Sequence, residues 1–190
     1  MLVLIDNGHG KDTAGKRSPD GRLREYAYTR EIAARLEQAL KERGIEAIRI
    51  TPEENDISLA ERCRRANRYG ADGVILVSIH CNAAGSGQWM SARGWEAWTS
   101  IGNTKADKLA ACLYEAAGNA GFKLRKDETD GDPDKEGHLY ILKHTVMPAV
   151  LTENLFQDNK DDVDYLLSEK GKQAIVELHV EGIMAYFGKV

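Results

Sequence analysis

Short apolar runs alternate with stretches of helical periodicity along the whole chain. Leu2-Val3-Leu4-Ile5 is uninterrupted and ends in Asp6-Asn7-Gly8-His9-Gly10, which predicts a buried strand closed by a tight turn. Ile32, Leu36, Ala39 and Leu40 recur at helical spacing, and Gly44 follows as a stop. Glu46 to Thr51 alternates as a strand does. Ser58-Leu59-Ala60-Glu61 is a capping-box pattern, in which each end satisfies a free N–H of the first turn. The helix it opens is expected to end near Tyr69-Gly70. Gly73 to Ile79 is the clearest buried strand and runs into His80-Cys81-Asn82. Gly94 to Trp98 predicts a shorter strand, and Thr104 to Asp107 a second cap leading a helix to about Ala120. Met147 to Thr152 predicts the last strand, with Pro148 confined to its first positions. A final helix is expected from Glu169 to Tyr186, with Ala174, Ile175, Leu178, Ile183 and Tyr186 on its buried stripe.

Strands alternating with long helices indicate the α/β class. The expectation is a single domain, residues 1–190, with a mainly parallel twisted sheet and helices on both faces. No repeat or linker divides the chain. Gly10 to Arg24 and Lys126 to Gly137 are polar and predict loops. The acidic second loop lacks the ligand spacing and glycine position of a calcium loop, so it is expected to be simply solvated.

Composition narrows the partners. The 190 residues carry 26 Lys and Arg against 30 Asp and Glu, a net charge of -4, and offer no basic face for nucleic acid. No apolar run is long enough to span a membrane. Met1 to Asp6 is too short for a signal peptide and no basic region precedes it, so either the chain has no leader or its leader has been removed. Cys63, Cys81 and Cys112 are odd in number and widely spaced, which fits free thiols rather than disulfides or a structural zinc.

In open parallel sheets, ligands bind beyond the carboxyl ends of the strands. His9, His80 and Glu153 are expected at three such ends. Two imidazoles and a carboxylate with an open position form a common catalytic zinc set. For either histidine alone, the plain alternative is a hydrogen-bonded structural role. Gly10 to Lys16 satisfies G-x-x-x-x-G-K, but position 17 is Arg where a phosphate loop needs Ser or Thr, and Pro19 and Gly21 delay the helix. Cys81 beside His80 invites a thiol nucleophile, yet neighbours on a strand point to opposite faces. His138 and His144 flank Leu139 to Leu142 and are expected at the site margin or the surface; His179 is expected in packing or at the surface. In the loop Ala84 to Ala92, Trp89 and Met90 are placed either against a substrate or over the core.

These segments together resemble the zinc-dependent N-acetylmuramoyl-L-alanine amidases of bacterial autolysins and phage endolysins. Asp6-Asn7-Gly8-His9-Gly10 resembles the family's D-x-G-H-G opening, and Glu25 falls where it has a glutamate before its first helix. Leu59 to Arg62, Ala66-Asn67 and Val77 to Ala83 resemble L-x-x-R…A-N…S-I-H-x-N-A. Leu139 to Leu142 and Pro148 to Glu153 resemble L-Y-V-L…P-A-V-L-x-E. The match runs in order over nearly the whole chain.

The resemblance implies Zn²⁺ held by His9, Glu25 and His80, with Glu153 as the catalytic carboxylate; Asn82 and Trp89, at and just after the end of the His80 strand, are expected as substrate contacts. Spacing alone does not single out Glu25. The implied reaction is hydrolysis of the amide between N-acetylmuramic acid and L-alanine. The implied partner is peptidoglycan, met at the cell wall or periplasm by a monomer. A leaderless chain of this kind fits a phage or prophage lysis protein. Two other readings use the same residues: a non-catalytic peptidoglycan-binding module, and a metal hydrolase of another amide or ester. The presence of all four positions favours catalysis. After Glu153 the chain departs from the family's Gly and hydrophobic run, reading Asn154 to Asn159 instead, so substrate contacts there are expected to differ.

Overall fold

The computed structural model describes residues 1–189. Its elements in chain order are β1 (Leu2–Asn7), α1 (Glu25–Glu42), β2 (Glu46–Arg49), α2 (Leu59–Asn67), β3 (Val74–Asn82) and β4 (Glu96–Thr99). There follow α3 (Lys105–Asn119), β5 (Lys135–Glu136), α4 (Tyr140–Lys143), β6 (Ala149–Phe156), α5 (Lys160–Leu167) and α6 (Glu169–Tyr186). The strands form one sheet in the order β2-β1-β3-β6-β4-β5. All neighbours are parallel except β4 and β6.

The apolar runs of β1 and β3 follow from this position: a parallel strand covered on both faces needs no polar side. Odd residues Val3 and Ile5, with Ile75, Val77 and Val150, join the larger core under α1, α3, α5 and α6. Even residues Leu4 and Leu76, with Leu151, join a smaller core under α2 and α4. The second face is therefore lightly covered, by one helix of nine residues and one of four. His80 lies on this face, in step with Leu76 and Ser78; Glu153, its partner in register, shares it with Leu151.

The structure extends two predicted strands. β3 continues to Asn82 and β6 to Phe156, so His80 and Glu153 sit inside strands rather than after them. The ladder is irregular between His80 and Asn82, and Leu155 adopts a φ of 63°. Such a bulge re-aims side chains beside a site. Helix α5 and the two-residue β5 were not expected. In α5 the apolar positions are sparse, and its start rests on Asn159, whose side chain accepts from the Asp162 N–H at 3.1 Å. The Thr104–Asp107 capping box closes in both directions. At α2 only half closes: Ser58 accepts from the Glu61 N–H, while the Glu61 carboxylate binds Arg64 and Arg65.

Helices α3 and α6 meet at Gly182, where an added Cβ would lie 2.9 Å from the Leu113 Cα. Overpacking of this kind costs about 1–3 kcal/mol. Gly182→Val is expected to lower Tm by roughly 2–12 °C, at about 2–4 °C per kcal/mol for a chain this long. A thermal melt with unchanged Tm would show slack between the two helices.

Candidate metal centre

The end of β1 is built by close approach. A Cβ on Gly8 would meet His80 ring atoms at 2.4 Å, and one on Gly10 would meet the Asp56 backbone at 2.0 Å. Between them His9 has a φ of 62°, a left-handed conformation that is strained for a residue with a Cβ. Its carbonyl is held by Arg30 Nη1 at 2.9 Å, with Arg62 Nη2 at 3.4 Å. Thr29 Oγ1 donates to the Gly8 carbonyl at 3.0 Å. The strain is thus stabilised by groups from α1 and α2, and it turns the His9 side chain toward β3.

Glu25 opens α1 and is buried. Its Oε1 accepts from the Cys81 N–H at 3.0 Å and its Oε2 from Gln157 Nε2 at 3.1 Å. Oε1 lies 3.6 Å from His9 Nε2 and 3.3 Å from His80 Nδ1. The two imidazoles stand edge to face, with centroids 5.0 Å apart. One donor atom from each of His9, Glu25 and His80 falls within 4.8 Å of the others.

A relay fixes the His80 ring. The Ser78 hydroxyl donates to Asp6 Oδ2 at 2.6 Å, and it lies 3.2 Å from His80 Nε2. Its single proton is committed to Asp6, so it accepts from Nε2–H; Nδ1 faces Glu25 and, once deprotonated, offers its lone pair there. Asp6 Oδ1 is in turn bound by Arg62 Nη1 at 2.6 Å and by Thr51 Oγ1 at 3.1 Å.

Glu153, on β6, stands beside His80 of β3 and Glu96 of β4. Its Oε2 is sealed from solvent and has no hydrogen-bond partner among the described residues. Desolvation, with the charges of Glu25 and Glu96 adding to it, raises its pKa to about 8. Burial lowers that of His9 to about 4, against the pull of Glu25. At His80 burial opposes the charged ring, but Glu25 outweighs it and the pKa is raised. At Glu25 burial is outweighed by His80 and His9, and the pKa is lowered. Two imidazoles, a buried carboxylate and a second, unpartnered carboxyl are a donor set that suits a divalent cation such as Zn²⁺. Next to it a cavity of about 420 Å³ opens toward α2 and α4, lined by Leu59, Leu139, Tyr140, Ile141 and Leu151 among others.

His9, Glu25, His80 and Glu153 are therefore brought to one place. Asn82 is half-buried, and its side chain donates to Glu96 Oε1 at 2.9 Å. Trp89 is 40% exposed on its loop. That loop is anchored by Asp158, which accepts from the Ala84 and Gly85 N–H groups. The divergent segment after Glu153 thus supports the centre from behind, Gln157 on Glu25 and Asn154 on the His80 carbonyl at 3.0 Å. Cys81 points into the larger core, away from the His80 ring. His138 and His144 are exposed, and His144 stacks on Tyr140. His179 is fully buried, bonded to Thr152 and to the Ile175 carbonyl, which removes the surface alternative. Sequence reading assigned no role to Asp6, Arg62 or Ser78, although all three lie in the quoted motifs.

A family model described as N-acetylmuramoyl-L-alanine amidase matches residues 3–185. Among curated relatives, an endolysin of Bacillus phage SPP1 is 31% identical over 185 residues, covering 96% of this chain and 64% of the relative. An N-acetylmuramoyl-L-alanine amidase of Bacillus licheniformis is 29% identical, over 98% of this chain and 69% of its own length. The chain thus spans about two thirds of these relatives. Among solved structures, an N-acetylmuramoyl-L-alanine amidase from Clostridium difficile 630 superposes with a TM-score of 0.85 at 27% identity, over 98% of this chain and 96% of the other.

Ser78→Ala is expected to weaken metal binding roughly 10–100-fold, the usual effect of losing a partner behind a ligating histidine. Competition with a chromophoric chelator reads it; wild-type affinity would remove Ser78 from that role. A second expectation concerns protons. In the metal-stripped fold Glu153 keeps its proton up to about pH 8, whereas the unfolded carboxyl loses it near 4.5. Its contribution to stability is therefore lost as pH rises from 4.5 to about 8. The Tm difference between Glu153→Gln and wild type is expected to shift in favour of the variant across that window and to level off above it. A difference independent of pH would mean that Glu153 titrates normally.

Proposed function

The chain belongs to the N-acetylmuramoyl-L-alanine amidase family, and on that premise we propose that it hydrolyses the amide between N-acetylmuramic acid and L-alanine in peptidoglycan, with Zn²⁺ as its metal. His9, Glu25 and His80 would hold the ion. When bound, such an ion polarises a carbonyl and lowers the pKa of a coordinated water from about 15.7 to about 7.

The residues of the chain supply the rest. Glu25 is locked by Cys81 N–H and Gln157, so its position does not depend on substrate. The relay from Asp6 through Ser78 holds the His80 ring. Glu153 takes a proton from water as it attacks the lactyl carbonyl, then returns that proton to the departing L-alanine amine. One carboxyl can serve both steps in turn, and positioned general acid–base catalysis contributes about 10²–10⁴-fold. The single observation that carries this reading is the sealed, unpartnered Glu153 Oε2 next to the His–Glu–His set. A module that only binds peptidoglycan has no use for a buried carboxyl oxygen left without a partner, which is costly to keep. We place the activity at the cell wall, in a monomer.

The direct test is release of stem peptides from purified peptidoglycan. New L-alanine N-termini are expected to vanish with chelator and return with added zinc. Glycan ends or cross-bridge cleavage would mean that another bond is cut. Glu153→Ala is expected to retain zinc and lose about 10²–10⁴-fold in kcat; near wild-type turnover would remove it from proton transfer. His80→Ala is expected to lose zinc and activity together.

A further inference from the structure

The face that carries His80 and Glu153 is divided by charge. Toward α2 and α4 it is walled by Leu59, Tyr140 and Ile141. Toward β4 it is ionic. Glu96, paired in register with Glu153, is buried and gathers four donors. These are Arg125 Nε at 2.7 Å, Lys135 Nζ at 2.8 Å, Asn82 Nδ2 at 2.9 Å and Trp98 Nε1 at 3.1 Å.

Glu96 is thus matched by two cations where one would neutralise it. Arg125 uses only Nε for Glu96, and its terminal nitrogens bond no other group among the described residues. The two cationic side chains remain 36% and 20% exposed, in the order Arg125 and Lys135. Each is also seated on a ring, Arg125 on Phe156 at 5.1 Å and Lys135 on Trp98 at 5.4 Å. The result is an anchored guanidinium with a free edge beside the proposed reacting carboxyl. A planar fork of that kind is suited to a carboxylate.

We propose that Arg125 and Lys135 form a subsite for a carboxylate of the peptide on the amine side of the scissile amide. The proposal rests on the amidase reading above and adds the direction in which substrate lies. Adjacent strands are about 4.8 Å apart, so cations gathered over β4 and its outer edge stand roughly 5–10 Å from the Glu153 strand. Extended chain advances about 3.4 Å per residue, which puts the recognised carboxylate on the second residue. The uncharged sugar would then lie toward Tyr140 and Leu59.

Soluble N-acetylmuramoyl dipeptides test this, one with a free α-carboxylate on the second residue and one with that group amidated. The zinc-loaded wild type is expected to prefer the free acid by roughly 10–100-fold in KM, the scale of one charge-assisted pair, with similar kcat for both. In Arg125→Gln, where Lys135 still neutralises Glu96, that preference is expected to shrink to within about twofold. Wild type that does not discriminate, or a variant that loses kcat equally on both, would overturn the subsite and leave the amidase reading intact. Failure of wild type to cleave either compound would count against the amidase reading. In that event, calorimetric titration of zinc-loaded protein with the free dipeptide and its amide decides the subsite separately. Tighter binding of the acid that depends on Arg125 supports it, and equal binding overturns it.

Discussion

One guanidinium ties the site to the fold. Arg62 is 2% exposed and rises from α2 into the end of the sheet. It donates to the Ile57 carbonyl at 2.7 Å, to Asp6 at 2.6 Å, to the Asn7 carbonyl at 2.7 Å and to Asp56 at 2.8 Å, and it reaches the His9 carbonyl at 3.4 Å. The end of β1, the loop before α2 and the strained turn at His9 thus share one side chain. Burying that charge is tolerable only because every part of the fork is paired. Removing one partner of such a buried pair typically costs about 3–5 kcal/mol.

The candidate metal centre depends on the same anchoring. Its donors come from a turn, a helix start and a strand, and each is fixed by backbone or by buried polar groups. Two histidines are held apart by Glu25, and Glu153 is left with an unpartnered oxygen. Leaving that oxygen unpartnered is unfavourable for folding unless something binds it. The lightly covered face explains how it stays accessible: α2 and α4 cover part of the smaller core and leave the strip over β6 and β4 open to a substrate.

Much of this was legible along the chain. The runs at Leu2–Ile5 and Gly73–Ile79 marked β1 and β3, and Thr104 and Asp107 marked the start of α3. His9 and His80 were found from their place after apolar runs. Glu25 was not: it looks like any acid at a helix start, and only motif resemblance pointed to it. Helix α5 escaped because three aspartates dilute its apolar spacing. The carboxyl ends of β3 and β6 escaped because polar residues there, His80 and Asn82, Glu153 and Asn154, resemble strand terminators. They are instead polar because they line and support the centre.

The chain by itself determined the α/β class, the buried strands and the residue types of a metal site, because hydrophobic periodicity and turn chemistry are local properties. It did not determine which polar groups meet. Asp6 reaches Ser78 across 72 positions and Gln157 reaches Glu25 across 132. Those meetings follow from the strand order β1-β3-β6-β4 and from its register, which brings His80, Glu153 and Glu96 side by side. Strand order is set by how helices cover the two faces of the sheet, a property of the whole packed chain that no single segment carries.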